Sequence, residues 1–257
     1  MSDAAIALEI NDLHKSYGQL EVLKGISLSA KDGDVISILG SSGSGKSTFL
    51  RCLNLLESPS QGQISFAGET LALKPGKDGN LEASNQKQLE RMRASIGFVF
   101  QNFNLWPHMT IIENIMEAPV HVLKQDKQTA YENAENYLKK VGLLDKKNSY
   151  PNQLSGGQQQ RIAIARTLAM EPQVLLFDEP TSALDPELVN EVLTVMRDLA
   201  AEGRTMLIVT HEMRFARDVS SQVVFLHEGQ VEEIGPPDKV FTNPESERCR
   251  TFLSSHL

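Results

Sequence analysis

Gly40, Ser41, Ser42, Gly43, Ser44, Gly45, Lys46 and Ser47 follow the spacing G-x-x-x-x-G-K-[ST]. Residues of these types at these intervals can surround the phosphates of a nucleotide. The glycines let the backbone approach with its N–H groups turned inward, the lysine adds a point charge, and the hydroxyl is offered to a metal ion. Ser47 would give that hydroxyl to Mg²⁺, a cation that takes octahedral oxygen ligands and keeps several waters. A second glycine loop, Leu154, Ser155, Gly156, Gly157 and Gln158, has Ser155 in the character of a helix N-cap and two glycines that leave the first helical N–H groups open to an anion. Standing alone it reads as a plain capped helix; beside the first loop it suggests a nucleotide gripped twice.

The apolar run Val174 to Phe177 ends in two adjacent carboxylates, Asp178 and Glu179. Ligands of open α/β sheets bind outside such carboxyl-terminal strand ends. Neighbouring side chains there point differently, so the acids can divide the work. Asp178 would hold Mg²⁺, directly or through water, and Glu179 would polarise an attacking water, since phosphoryl transfer asks the protein mainly for positioning and charge stabilisation. His211 ends the run Thr205 to Thr210, where an imidazole could reach a terminal phosphate or orient water, and Gln101 ends the run Ile96 to Phe100. Each is a weak signal by itself; as two further strand ends of one sheet they would converge on the same crevice. Tyr17, before Gly18, could stack on a base, and in isolation reads as structural. Asp185 followed by Pro186 is a strong helix start, with the acid as cap and proline at the first helical position.

These groups need elements to hold them. Ala5 to Ile10 and Val22 to Ser29 read as strands, with turn signals at Gly18, Gly25 and Asp32-Gly33. Val35 to Leu39 is a short buried-type strand entering the first glycine loop, and Ser47 to Leu56 the helix leaving it. Lys74 to Arg93 is a polar surface excursion with turns at Pro75-Gly76 and Asp78-Gly79 and a helical stretch from Ser84. From about Ile111 to Gly142 the chain is helical, with Ala130, Ala134, Leu138 and Val141 on one face and Gly142 as the stop. Gln158 to Met170 is a helix ended by Pro172, Glu187 to Ala201 another, and the strands Val174 to Phe177 and Thr205 to Thr210 flank the latter. Alternation of strand and helix implies a mainly parallel α/β sheet with the helical middle as an insert. No internal repeat is present.

Composition excludes several classes. With 257 residues, 40% hydrophobic and 23% charged, the chain is an ordinary globular protein of one large or two small domains. A formal charge of −8 argues against nucleic acid as the main ligand. Cys52 and Cys249 read as reduced, apolar residues suited to the cytosol. The N-terminus carries no secretory pattern, and no stretch approaches the roughly 18 apolar residues of a membrane span.

In order and type, these residues resemble the ATP-binding subunit of ATP-binding-cassette transporters over essentially the whole chain. Tyr17 matches the family's adenine-stacking aromatic, Gly40 to Thr48 its Walker A loop, Gln101 its Q-loop, Leu154 to Gln158 its signature, Val174 to Asp178 its Walker B strand, Glu179 its catalytic glutamate, Ser182 to Asp185 its D-loop and His211 its switch histidine. The match looks closer still to subunits importing polar amino acids, of the histidine and arginine permease kind, in the excursion after Leu73, in Phe100 to Thr110, in Met116 to Pro119 and in Thr210 to Met213. The chain also ends soon after the strand-like Val223 to Ile234, leaving no room for the regulatory domain of some other importers.

The resemblance implies a P-loop NTPase (RecA-like) α/β core with an antiparallel β region and an inserted helical subdomain: residues 1–100 and 165–257 form the core, 101–164 the insert with the signature. It implies ATP and Mg²⁺, the metal held by Ser47, Gln101 and Asp178, and catalysis by Glu179, His211 and Gln101. It further implies a head-to-tail homodimer in which each ATP lies between one copy's Walker A and the other copy's signature. Two integral membrane subunits and, indirectly, a periplasmic or extracellular amino-acid-binding protein complete the assembly, with this chain peripheral at the cytoplasmic face of the inner (plasma) membrane. Phe103, Leu105 and Trp106 either dock on those subunits or pack the insert. The competing expectation is a soluble cassette ATPase of an assembly pathway such as iron–sulfur cluster biogenesis.

Overall fold

A computed structural model describes residues 5–256. In chain order β1 (Ile6–Tyr17) and β2 (Leu20–Lys31) form a long hairpin, and β3 (Val35–Leu39) leads into α1 (Lys46–Leu53). Then follow β4 (Gln61–Phe66), β5 (Glu69–Thr70), the small hairpin β6 (Leu73–Pro75) and β7 (Leu81–Ala83), α2 (Gln86–Ser95) and β8 (Ile96–Val99). The middle is helical, with α3 (Ile111–His121), α4 (Lys127–Lys140) and α5 (Gly156–Leu168). The chain then alternates through β9 (Val174–Asp178), α6 (Pro186–Ala201), β10 (Thr205–Val209) and α7 (Met213–Val219). It closes with the hairpin β11 (Gln222–His227) and β12 (Gln230–Gly235), α8 (Pro237–Thr242) and α9 (Glu247–Ser254).

The strands β3, β9 and β10 are short apolar runs buried at every position. Such runs suit a parallel sheet covered on both faces. They lie at the centre of a six-stranded sheet of order β12-β11-β3-β10-β9-β8, parallel except at the β11/β12 hairpin. Because side chains alternate along a strand, the sheet separates two cores. On one face Ile36, Ile38, Leu176 and Leu207 pack with Phe49 and Leu50 of α1 and with the four-stranded antiparallel sheet β2-β1-β4-β5. On the other, Leu175, Phe177, Met206 and Ile208 pack with α5 and α6 and with Ile111, Ile115 and Leu138 of the insert. Cys52 and Cys249 are free and buried, and burial pushes both thiols up to about 12.

Three local expectations are corrected. The first strand does not stop at Ile10: Asp12 takes a left-handed φ of 51°, the register with β2 shifts between Ile10 and Leu13 in a bulge, and pairing resumes to Tyr17. Gly25 (φ 82°) likewise lies inside β2. The stretch 111–142 is two helices, because Val122 to Gln125 break the run and Asp126 caps α4 by accepting from the Thr129 N–H at 3.0 Å. Gly142 does close α4, at φ 71°. Helix α5 runs unbroken across position 164.

Phe177 is fully buried on the insert side of the central strand β9. Phe177→Ala is expected to destabilise the fold by about 3–5 kcal/mol, read as a lower urea midpoint with the slope of the transition unchanged.

Candidate nucleotide site

The first glycine loop is shaped by what surrounds it. A Cβ on Gly40 would stand 2.3 Å from the Leu226 carbonyl oxygen and 2.8 Å from Ser44 Oγ, so the turn out of β3 admits only glycine. Gly45 sits at φ 99° immediately before α1, and the helix begins without any side-chain cap. Its first N–H groups are therefore left for an anion, and the helix dipole adds to the attraction. A cleft of about 390 Å³ runs over these groups, bounded by Leu20 and Val22 of β2, by Ser42, Gly43 and the residues Gly45 to Thr48, and by Glu179.

Lys46 is 4% exposed and its ammonium folds back onto the loop, donating to the carbonyls of Gly40 (2.8 Å) and Ser41 (2.9 Å). Burial lowers its pKa, while the charges of Glu179 and Asp178 pull it back up. Asp178, 2% exposed at the end of β9, accepts on Oδ2 from Arg51 Nε (3.2 Å) and Nη2 (3.0 Å). Its Oδ1 is buried without a hydrogen-bond partner. A buried carboxylate oxygen left open is costly unless something claims it, and a hard divalent cation fits the oxygen donors Asp178 and Ser47. No group of three or more His, Cys, Asp or Glu that could hold a metal occurs among the described residues. A cation here would draw its remaining oxygens from phosphate and water.

Glu179 adopts a left-handed φ of 48°, which swings it out of the strand line. Its Oε1 meets His211 Nε2 at 3.2 Å and its Oε2 accepts from Ser182 Oγ at 2.9 Å. The His211 bond, with help from Ser182 and Lys46 and against the effect of burial, pulls the carboxyl down to about 2. Glu179 is thus ionised at neutral pH, and it orients neighbours better than it takes up protons. Sequence expectation singled out both His211 and Glu179, and here they touch.

Other expected residues lie at the margins. Tyr17 is 46% exposed and sits across the β1/β2 hairpin from Leu20, which lines the cleft. Gln101 is exposed beyond β8 and makes no hydrogen bond to Lys46, Asp178 or Glu179, although the Phe100 carbonyl before it accepts from Gln160 Nε2 of α5 at 3.0 Å. Leu154 is buried. Ser155 and Gln158 close a reciprocal capping box at the head of α5, and none of the residues Leu154 to Gln158 lines this chain's own cleft. Asp185 holds the cap position of α6, as expected, but its side chain makes no cap bond. Sequence reading places Ser182 in the D-loop without joining it to Glu179, and it misses Arg51. Ser182 is three residues beyond Glu179 and was open to inspection; Arg51 and Asp178 are 127 positions apart, and only the fold joins them.

A parallel sheet whose central strands deliver a phosphate-binding turn and paired acids to one edge defines a P-loop nucleotide-binding protein. The chain belongs to the ABC transporter family, whose model matches residues 23–182. It is 64% identical over 250 residues to the arginine/ornithine transport ATP-binding protein AotP of Pseudomonas aeruginosa, covering 97% of this chain and 98% of that one. It is 60% identical over 251 residues to the histidine/lysine/arginine/ornithine transport ATP-binding protein HisP of Escherichia coli, covering 97% and 98%. Among solved structures, the ATP-binding cassette MJ0796, in a dimeric post-hydrolysis state bound to ADP and Pi, matches with a TM-score of 0.76 at 33% identity, covering 90% of this chain and 98% of that one. CbiO1 of Clostridium perfringens, part of the transporter complex cbiONQ, matches at 0.81 and 32% identity, covering 94% and 92%.

The depressed Glu179 pKa has a consequence for stability. Because the folded value lies below the ordinary 4.5, the ionised carboxylate favours the folded state, a contribution complete above pH 4.5 and lost as pH falls toward about 2. Urea midpoints followed downward from neutral pH are expected to fall more steeply in that window for the natural chain than for Glu179→Gln. Parallel curves would show that the carboxylate is not held this way.

Proposed function

We propose that the chain is the ATP-hydrolysing subunit of an importer of polar, basic amino acids, attached to the cytoplasmic face of the inner (plasma) membrane. The observation that carries this reading is near-full-length identity of 60–64% with ATP-binding proteins named for arginine, ornithine, histidine and lysine transport. The same names favour it over an assembly-pathway ATPase.

In this reading the N–H groups around Gly43 to Thr48 cradle the ATP phosphates and Tyr17 carries the adenine. Lys46 gives up the Gly40 and Ser41 carbonyls for phosphate oxygens, exchanging neutral acceptors for charged, stronger ones. Ser47, Asp178 and Gln101 would hold Mg²⁺, which would neutralise charge on the phosphate oxygens. Glu179 turns a carboxylate oxygen from Ser182 or His211 to the attacking water, fixing its direction, and His211 remains at its side to meet the terminal phosphate. Positioning of this kind carries most of phosphoryl transfer.

The signature loop Leu154 to Gln158, together with the D-loop residue Asp185, serves the ATP of a second copy in a head-to-tail dimer. Support comes from its place outside its own chain's cleft and from the dimeric state of the structural neighbour MJ0796. No helix among the described residues is long and apolar enough to cross a membrane. Two integral membrane subunits supply the path, and an amino-acid-binding protein outside delivers the cargo. Residues 1–100 and 165–257 act as the core and 101–164 as the insert that faces those subunits, Phe103, Leu105 and Trp106 included. Nucleic acid has no part in this scheme.

Capture of the tagged chain after mild detergent extraction of its native membranes is expected to bring down multi-span proteins. The ATPase of that assembly should rise with a binding protein loaded with a basic amino acid. A chain recovered wholly soluble, without a multi-span partner, would sink the importer reading. Glu179→Gln should retain ATP affinity, lose about 10²–10⁴-fold in turnover and accumulate as an ATP-bound dimer; near-normal turnover would place the group that directs the water elsewhere.

A further inference from the structure

Lys15 is an unusual lysine. It is 4% exposed, although its neighbour in the hairpin, Tyr17, is 46% exposed. Its ammonium lies 4.6 Å from the centroid of the Tyr17 ring. It also donates to the Ser58 carbonyl at 2.7 Å and to Asn80 Oδ1 at 3.3 Å, with Glu57 at 4.0 Å. With the cation buried and the ring half-exposed, the geometry fits a cation on the ring's inner face and an outer face open to solvent.

Asn80 belongs to the turn between β6 and β7, inside the polar excursion to which the hydrolytic scheme gives no task. Its Oδ1 also accepts from Ser60 Oγ at 2.9 Å, and Ser60 Oγ in turn accepts from the Ser16 N–H at 2.9 Å, between Lys15 and Tyr17. Asp78 grips the Asn80 amide from within the turn at 2.9 Å, and Leu81 donates its N–H to the Pro59 carbonyl at 2.6 Å. The excursion is thereby fastened to the strand that carries the aromatic ring.

We propose that Lys15 is a positioning residue for the nucleobase: it holds the Tyr17 ring from behind, and the β6/β7 turn holds Lys15 through Asn80. The inference rests on the reading of Tyr17 as the adenine platform. A cation against one face draws π density toward itself, leaving the opposite face poorer in electrons and a better partner for an electron-rich purine. It also pins the ring, so less side-chain freedom is lost when a base stacks.

The test is a double-mutant cycle on the full chain. It reads equilibrium affinity for a non-hydrolysable ATP analogue and for inorganic triphosphate, which has no base, each with magnesium. Lys15→Met is expected to weaken the analogue by about three- to tenfold and leave triphosphate unchanged. In a Tyr17→Ala background the same substitution should then have no further effect. If Lys15→Met does not fold, Asn80→Ala carries the same cycle with a smaller change in the same direction. Equal weakening of both probes, or additive losses in the double mutant, would overturn the proposal and make Lys15 a mere anchor for residues 57–60. If Tyr17→Ala itself leaves analogue affinity intact, the adenine-platform reading falls first; if it weakens binding but Lys15→Met does not, only the positioning role falls.

Discussion

Helix α1 starts on Gly45 with no side chain to cap it, and that uncapped end is the constraint the rest of the molecule serves. A helix start exposes N–H groups that need acceptors, and most helices supply one locally, as Ser155, Thr110 and Asp126 do here. At α1 the need is left open and aimed into the cleft. Keeping it open requires rigidity behind it. The fully buried β3 supplies that, as do the Leu226 carbonyl that closes on Gly40 and the packing of Phe49 and Leu50 beneath the sheet.

Charge around this helix end is arranged as a set of internal stand-ins. Lys46 leans on backbone carbonyls, Asp178 leans half on Arg51, and Glu179 leans on His211 and Ser182. Each group is kept in one place by a partner weaker than a phosphate or a divalent cation would be. The open Oδ1 of Asp178 and the partnerless, buried hydroxyl of Ser44 are where this internal pairing runs out.

How much of this is legible in the sequence depends on whether the physics is local. The glycine spacing, the strand-end acids and the N-cap at Ser155 are each set by residues only a few positions apart, and the structure forms each local feature where that pattern predicts. The continuation of β1 past Ile10 is not legible because the bulge at Asp12 interrupts the alternation that marks a strand, and only the partner strand shows that pairing resumes. The break before Asp126 was lost because the helical periodicity on either side is strong enough to bridge it. The Arg51 pair with Asp178, and that of Lys15 with Asn80, join segments whose proximity only the completed sheet creates.

Helix α5 carries the capping box at one end and packs against β8 and α6 along its length. Thirteen residues make a rod of about 20 Å. The Gln160 amide on its second turn grips the backbone just before Gln101, much nearer the head than the tail. It therefore has the proportions of a lever with its fulcrum near the tip. A tilt of about 10° about Gln160 would carry the capping serine, about 7.5 Å away along the axis, through about 1.3 Å. A displacement of that size separates a hydrogen bond from no bond.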